Sequence, residues 1–299
     1  MPMDERLEAA ARHWSIERRA DRSRWWMHET IIRHINRLAC GEAIDGIHQG
    51  FHRLIHDRMP EGGFRRALSV GCGSGGKEMR LLKQGIVRSF DLFEIGEHRR
   101  EQIASKAAEH GLEDRITIHI GDAFREDIVA GFDLVYWNNA LHHMFDAKAA
   151  VSWSRRALQP GGWFAMDDFV GATRFQWSDE DLEIASRVRS LLPERLLVHP
   201  GNPEKRLPCK LERPAIAAMI EADPTEAADS GNIVHALKAE FPDASIMATG
   251  GVVYHLALND VLNNFEAEDD ALLNALLLLD EVLASGDHNQ YAVALAEKH

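Results

Sequence analysis

The chain has 299 residues, 45% of them hydrophobic, which is enough to bury a full core around one catalytic domain with sizeable additions. Its formal net charge of −13 repels phosphate backbones and anionic lipid, so neither nucleic acid nor a membrane surface is expected as a partner. The three cysteines, Cys40, Cys72 and Cys209, are dispersed and lack CxxC spacing, so neither a disulfide framework nor a cysteine-rich zinc site is expected.

The first residues carry charges of both signs and no apolar core, unlike a secretory signal, and no apolar run is long enough for a transmembrane helix. A reducing cytoplasm fits this composition. Residues 4–60 place Ile31, Ile32, Ile35 and Leu38, then Ile47, Phe51, Leu54 and Ile55, at helical spacing, which predicts a helical N-terminal extension over 1–64. His48, His52 and His56 recur every fourth residue, but no carboxylate or cysteine accompanies them at matching spacing, so they read as a solvated face rather than a metal site.

From Arg66 the periodicity changes. Ala67–Val70 reads as a strand ending in glycines, followed by a helix over Lys77–Gln84. Strand-like Val87–Phe93 precedes helix Glu97–His110, and strand-like Ile116–Ile120 follows. Strand-like Phe132–Tyr136 precedes helix Ala147–Leu158, and strand-like Trp163–Asp167 follows the turn Pro160-Gly161-Gly162. This alternation over 65–170 predicts an α/β fold, a doubly wound and mostly parallel sheet covered on both faces. Residues 171–299 read as a lid insertion and the final strands: helix Glu180–Leu191, an irregular proline-rich stretch, and helix Ile233–Glu240 with Asn232 as its cap. A hairpin of Ala244–Thr249 and Val252–Leu258 joined by Gly250-Gly251 suggests an antiparallel edge. Helix Ala271–Ala284 and a short closing strand Tyr291–Ala296 complete the chain. The apolar helix offers a contact surface for an oligomer.

The chemistry concentrates at strand ends. Gly71-Cys72-Gly73-Ser74-Gly75 lies between the first strand and its helix, where glycines let a ligand approach amide groups at a helix N-terminus. At the carboxyl end of the first strand of such a sheet this marks the ligand crevice. Glu94, ending the second strand, is the expected clamp for a ribose, with Asp91 as the alternative. Asp122, after the third strand, is placed to accept a hydrogen bond from an adenine amine.

In order, Leu68–Gly75, Leu92–Ile95, Gly121-Asp122-Ala123, Phe132–Val135 with Asn138 to His143, and Leu158–Gly162 resemble the class I (Rossmann-like) S-adenosylmethionine-dependent methyltransferases. The resemblance covers about a third of the chain. It implies S-adenosylmethionine as cofactor, with S-adenosylhomocysteine as product. The methionine part would lie on Gly71, Cys72, Gly73 and Gly75, the ribose on Glu94 and Ile95, the adenine on Asp122 and Ala123, and Asn138 would complete the pocket. The family usually has an acid two residues before the first loop glycine, where this chain has Ser69, so the contact with the cofactor's amino group is the one left open.

A small-molecule acceptor is expected, with oxygen and nitrogen favoured over sulfur and carbon. Methyl transfer from a sulfonium requires alignment, exclusion of water and often removal of a proton. His142 and His143 after the fourth strand are the candidate bases, and no metal is assigned. Asp168 and Arg174 are candidates for acceptor contact, or for pairing with one another. Comparable N-terminal extensions in the family shape the acceptor pocket, so Trp26 and His28 enter as candidate substrate contacts, beside Trp14 and Trp25. Two other readings stay open: a cofactor-binding scaffold without turnover, motivated by Ser69, and an NAD-dependent oxidoreductase, since Gly71, Gly73 and Gly76 also satisfy GxGxxG.

Overall fold

The structure, a computed structural model, describes residues 3–14, 24–125, 128 and 130–299. Helices α1 (Met3–Trp14), α2 (Glu29–Cys40) and α3 (Gln49–His56) form the N-terminal extension. Then follow β1 (Ala67–Val70), α4 (Gly76–Lys83), β2 (Phe90–Glu94), α5 (Arg99–Glu109), β3 (Ile116–Ile120), β4 (Phe132–Asn138), α6 (Ala147–Ala157) and β5 (Leu158–Phe169). The remainder holds α7 (Asp179–Ser190), a small ribbon of β6 (Val198–His199) and β7 (Asn202–Arg206), α8 (Ile216–Ala222), α9 (Ile233–Glu240), β8 (Ser245–Gly250), α10 (Asp270–Ser285) and β9 (Tyr291–Glu297).

The main sheet has the order β3-β2-β1-β4-β5-β9-β8. Strands β1 to β5 pair in parallel, and β9 runs antiparallel to both β5 and β8. Every residue of β1, β2 and β4 is buried, as expected where helices cover both faces of a parallel sheet. Alternate side chains feed two cores. Leu68, Val70, Val135, Trp137 and Met166 pack with α6 and α9 on one face. Ala67, Leu134, Tyr136 and Ala165 pack with α3, α4 and α5 on the other. A third core joins Trp25, α7, α10 and the segment after β8. Local signals fix several ends: Asp146 accepts from the Ala149 amide to cap α6, and Ser178 accepts from the Asp181 amide to cap α7.

Three expectations need correction. Val252–Ala257 is a turn of π-helix, not the second strand of a hairpin, and the strand that pairs with β8 is β9. The run Val252–Leu258 lacks the alternation of a half-buried strand, and Asp280 of α10 captures the Gly251 and Val253 amides at 2.8 and 2.6 Å. Asn232 precedes α9 without a side-chain cap bond, and donates instead to Asp229. The histidines of 48–56 are not a solvated face. His48 precedes α3 in left-handed backbone and His52 is buried against the Tyr136 hydroxyl at 2.9 Å, so only His56 is exposed. Among the described residues, no helix is long and apolar enough to cross a membrane.

Candidate functional site

A cleft of about 830 Å³ opens at the carboxyl ends of β1, β2 and β4. Its floor is the loop between β1 and α4, where Gly71, Gly73 and Gly75 all have positive φ. A Cβ on Gly71 would sit 2.9 Å from the Ala140 Cβ, so the close passage of the loop past the end of β4 requires glycine there. Gly73 has open space where a Cβ would be, so the bare backbone faces the cleft.

Glu94 holds this loop in place. One of its oxygens accepts from the Gly73 amide at 2.8 Å, and the other from the amides of Ile95 and Gly96 at 2.9 and 3.1 Å. It lines the cleft with Ile95, Asp122 and Ala123. Asp91 is directed elsewhere: it pairs with Arg66 and His119, outside the cleft lining, so Glu94 is the strand-end acid that faces the cleft. Asn138 does not line the cleft. Its side-chain amide donates to the Tyr136 hydroxyl, and Asn139 and Ala140 take the lining position. The Asn138 carbonyl is occupied by the ammonium of Lys77, a cleft residue that the sequence reading passed over.

Two histidine–carboxylate pairs form at the end of β5. Successive residues of a strand point to opposite faces, and Asp167 and Asp168 do so, each holding a histidine. Asp168 is fully buried and accepts from the amides of Ala140, Leu141 and Phe169, and it is 2.5 Å from His142 Nδ1. Burial opposes charge on His142, but the Asp168 carboxylate beside it carries its pKa above the ordinary histidine value. Asp167 is 2.8 Å from Nδ1 of His48, which also lines the cleft.

His143 faces the cleft under Trp14, whose ring meets it edge-on at 4.9 Å. The Thr225 hydroxyl fixes its tautomer. It donates to Asp223 at 2.7 Å and accepts from Trp14 Nε1 at 3.2 Å, so His143 Nδ1 at 3.0 Å must be a donor and Nε2 is left as the acceptor. Burial, then the charge of His142, pushes the His143 pKa well below the ordinary value. Glu226 comes within 3.8 Å of His142 Nε2, and burial raises its pKa.

His142, His143 and Glu226 together offer ligand atoms within 4.8 Å of one another. Tetrahedral zinc at about 2.0–2.1 Å from nitrogen or oxygen brings its ligands to about 3.4 Å from each other. Coordination would therefore require the three to draw together, and Nε2 of His142 is better described as an acceptor left open by the Asp168 contact.

Arg174 and Asp168 do not pair, and neither lines the cleft. Arg174 donates to the carbonyls of Glu226 and Pro224, so it ties the 224–226 segment in place, while Asp168 is spent on the β4–α6 loop and His142. Trp26 and His28 do not line the cleft. The 25–27 turn packs Trp25 on Tyr254 and Tyr291 and leaves Trp26 39% exposed, so the tryptophan over the site is Trp14. The consecutive acids at the end of a strand were the readable signal for two histidine partners. Thr225 and Glu226 arrive from more than 80 residues beyond the histidines, and nothing local in the sequence marks them.

Fold and cleft define a Rossmann-like α/β domain whose cleft, at the carboxyl ends of the parallel strands, is walled by His48 and His143. Residues 68–164 match a family model described as a methyltransferase domain. The 27-O-demethylrifamycin SV methyltransferase of Amycolatopsis mediterranei is 31% identical over 106 residues, 35% of this chain and 39% of that protein. A sterol 24-C-methyltransferase of Gibberella zeae is 30% identical over 152 residues, 50% of this chain and 39% of that protein. The chain thus spans about two fifths of the length of these relatives. Geranyl diphosphate C-methyltransferase from Streptomyces coelicolor, in complex with Mg2+, geranyl diphosphate and S-adenosyl-L-homocysteine, shares the fold at 11% identity, with a TM-score of 0.57 over the whole of both chains. Residues 68–164 thus resemble the methyltransferase domains of these relatives, and the fold of the whole chain is that of the C-methyltransferase.

Proposed function

We propose that the protein methylates a hydroxyl group of a small acceptor with an apolar body, His142 taking the proton. The observation that carries this reading is the buried His142–Asp168 pair, which stands directly behind His143 of the cleft wall with 4.0 Å between the two ring centroids. The residues fit the cofactor: the side-chain-free Gly73 at the cleft floor, Glu94 beside it, and Asp122 with Ala123 further along. When bound, S-adenosylmethionine supplies an activated methyl on a sulfonium. The chain's own groups do the rest. Asp168 fixes a proton on Nδ1 of His142 and leaves Nε2 to accept one, while its charge brings that nitrogen's basicity toward what a hydroxyl acceptor needs. His143, held neutral with Nε2 open, orients the hydroxyl. Leu7, Ala10, Trp14, Met144 and Phe145 give the acceptor end an apolar wall that excludes water.

Calorimetry and a metabolite-panel assay test this proposal. S-adenosylmethionine and S-adenosylhomocysteine should bind and NAD should not, with turnover on a hydroxylated member of the panel. Binding of NAD alone would sink the assignment. Cofactor binding without turnover on any hydroxyl or amine would favour the scaffold reading.

A further inference from the structure

The one departure from the family pattern, Ser69, has a partner in the structure. Ser69 lies on the face of β1 that packs against α4, and its hydroxyl donates to Glu78 Oε1 at 2.8 Å. Glu78 stands in the first turn of α4 and is 1% exposed. Its other oxygen, Oε2, has no hydrogen-bond partner among the described residues. Helix capping does not account for it, since α4 begins at Gly75 without a side-chain cap bond. A buried carboxyl oxygen left unmatched calls for a partner that arrives from outside the fold.

That partner has a definable charge. Glu78 lies close enough to Cys72 and Glu94 of the cleft wall for their charges to act on one another. Burial raises its pKa, and a cation arriving beside it would favour the charged form. On the same helix turn, Lys77 reaches into the cleft and rests on the Asn138 carbonyl, so this end of the cleft carries charges of both signs. An α-amino acid group also carries both.

We infer that Glu78, tethered by Ser69, supplies from α4 the negative charge that balances the cofactor's α-ammonium group, in the role the family gives to an acid two residues before the loop. Position 69 then holds the hydroxyl that aims the carboxyl, and the acid has moved nine residues along the chain. The inference rests on the proposed cofactor and deepens it.

The test compares two ligands by calorimetry: S-adenosylhomocysteine, and 5′-methylthioadenosine, which lacks the amino-acid end. The proteins are wild type, Glu78→Gln and the double variant Ser69→Asp/Glu78→Gln, each first checked for an unchanged far-UV spectrum and melting temperature. Glu78→Gln should weaken S-adenosylhomocysteine at least tenfold and 5′-methylthioadenosine less than twofold. The double variant should recover most of the loss, because it restores an acid at the usual place. Equal weakening of both ligands would show that Glu78 only supports the loop and would overturn the inference, as would undiminished binding by Glu78→Gln. Failure of wild type to bind either ligand would instead remove the cofactor reading itself. If Gln destabilises the fold, Ser69→Ala provides the same comparison, with a smaller selective loss expected.

Discussion

The reactive centre depends on how a single carboxylate is shared. Asp168 accepts from backbone amides of the β4–α6 loop and also faces His142 Nδ1, so one residue sets both loop shape and histidine tautomer. If His142 is the base, kcat/KM should rise with pH through a value above about 6.5, the ordinary histidine pKa, because the imidazole must lose its proton to act. Asp168→Asn removes the charge that raises this pKa, so the ascending limb should move to lower pH while the plateau falls. His142→Ala should lower kcat by about 10²–10⁴-fold, the usual range for general base catalysis, with the Kd for S-adenosylhomocysteine within about threefold. An unchanged pH profile in Asp168→Asn would contradict the assignment. If His142 Nε2 acts as the base rather than as a ligand beside His143 and Glu226, turnover should survive exhaustive dialysis against EDTA. A loss restored by a divalent cation would show that the three close on a metal.

At the level of elements, α1 links the extension to the chemistry. Leu7, Ala10 and Trp14 line the cleft, and Trp14 bonds to Thr225, whose hydroxyl fixes His143. Trp14→Ala removes a large apolar contact and one hydrogen bond, and should raise the KM for the acceptor by about tenfold or more. The Kd for 5′-methylthioadenosine should change much less, and an equal effect on both would place Trp14 over the cofactor instead. The sequence displayed the strand–helix alternation, the glycine loop and the acids at strand ends because each is encoded within a few residues. It did not display the π-turn after β8, since that backbone is set by Asp280, about 30 positions away, whose carboxylate takes the amides a hairpin would have paired. His48 was misread for a similar reason: periodicity assumed a continuous helix, whereas the chain bends there and Asp167 captures the ring. Gly250 tests the π-turn. Its φ is +84° and a Cβ would lie 1.8 Å from Asp280 Oδ2, so Gly250→Ala should destabilise the fold by about 2–4 kcal/mol in urea unfolding.

For the molecule as a whole, buried histidines set the acid limit. Burial holds His34 at about 4, His52 at about 3 and His255 at about 4, whereas the same residues in an unfolded chain titrate near 6.5. A group whose pKa is depressed by folding contributes its full stability above the unfolded value and loses it as pH falls toward the folded one. Below about pH 6.5 the unfolded chain therefore takes up protons on these three histidines, and on His28 and His143, whose pKa values burial also lowers, that the folded chain refuses, each at up to about 1.4 kcal/mol per pH unit. Asp280 acts the other way. Burial raises it from 3.8 to about 6, so between those values the folded state holds a proton the unfolded state has released, and acid favours folding there. His142, raised above 6.5, adds no slope below that pH because both states are then protonated. Glu78 and Glu226, also raised by burial, act with Asp280, but the depressed histidines outnumber these carboxylates and leave a net loss of stability as pH falls from about 6 to 4. The urea midpoint should accordingly fall steadily from pH 7 to pH 5, with an unchanged m-value, and His52→Gln should remove up to about 1.4 kcal/mol per pH unit from the slope of the unfolding free energy. A midpoint that holds or rises over that interval would mean that the interior admits the protons, and that the histidine cores open to water well before the sheet does.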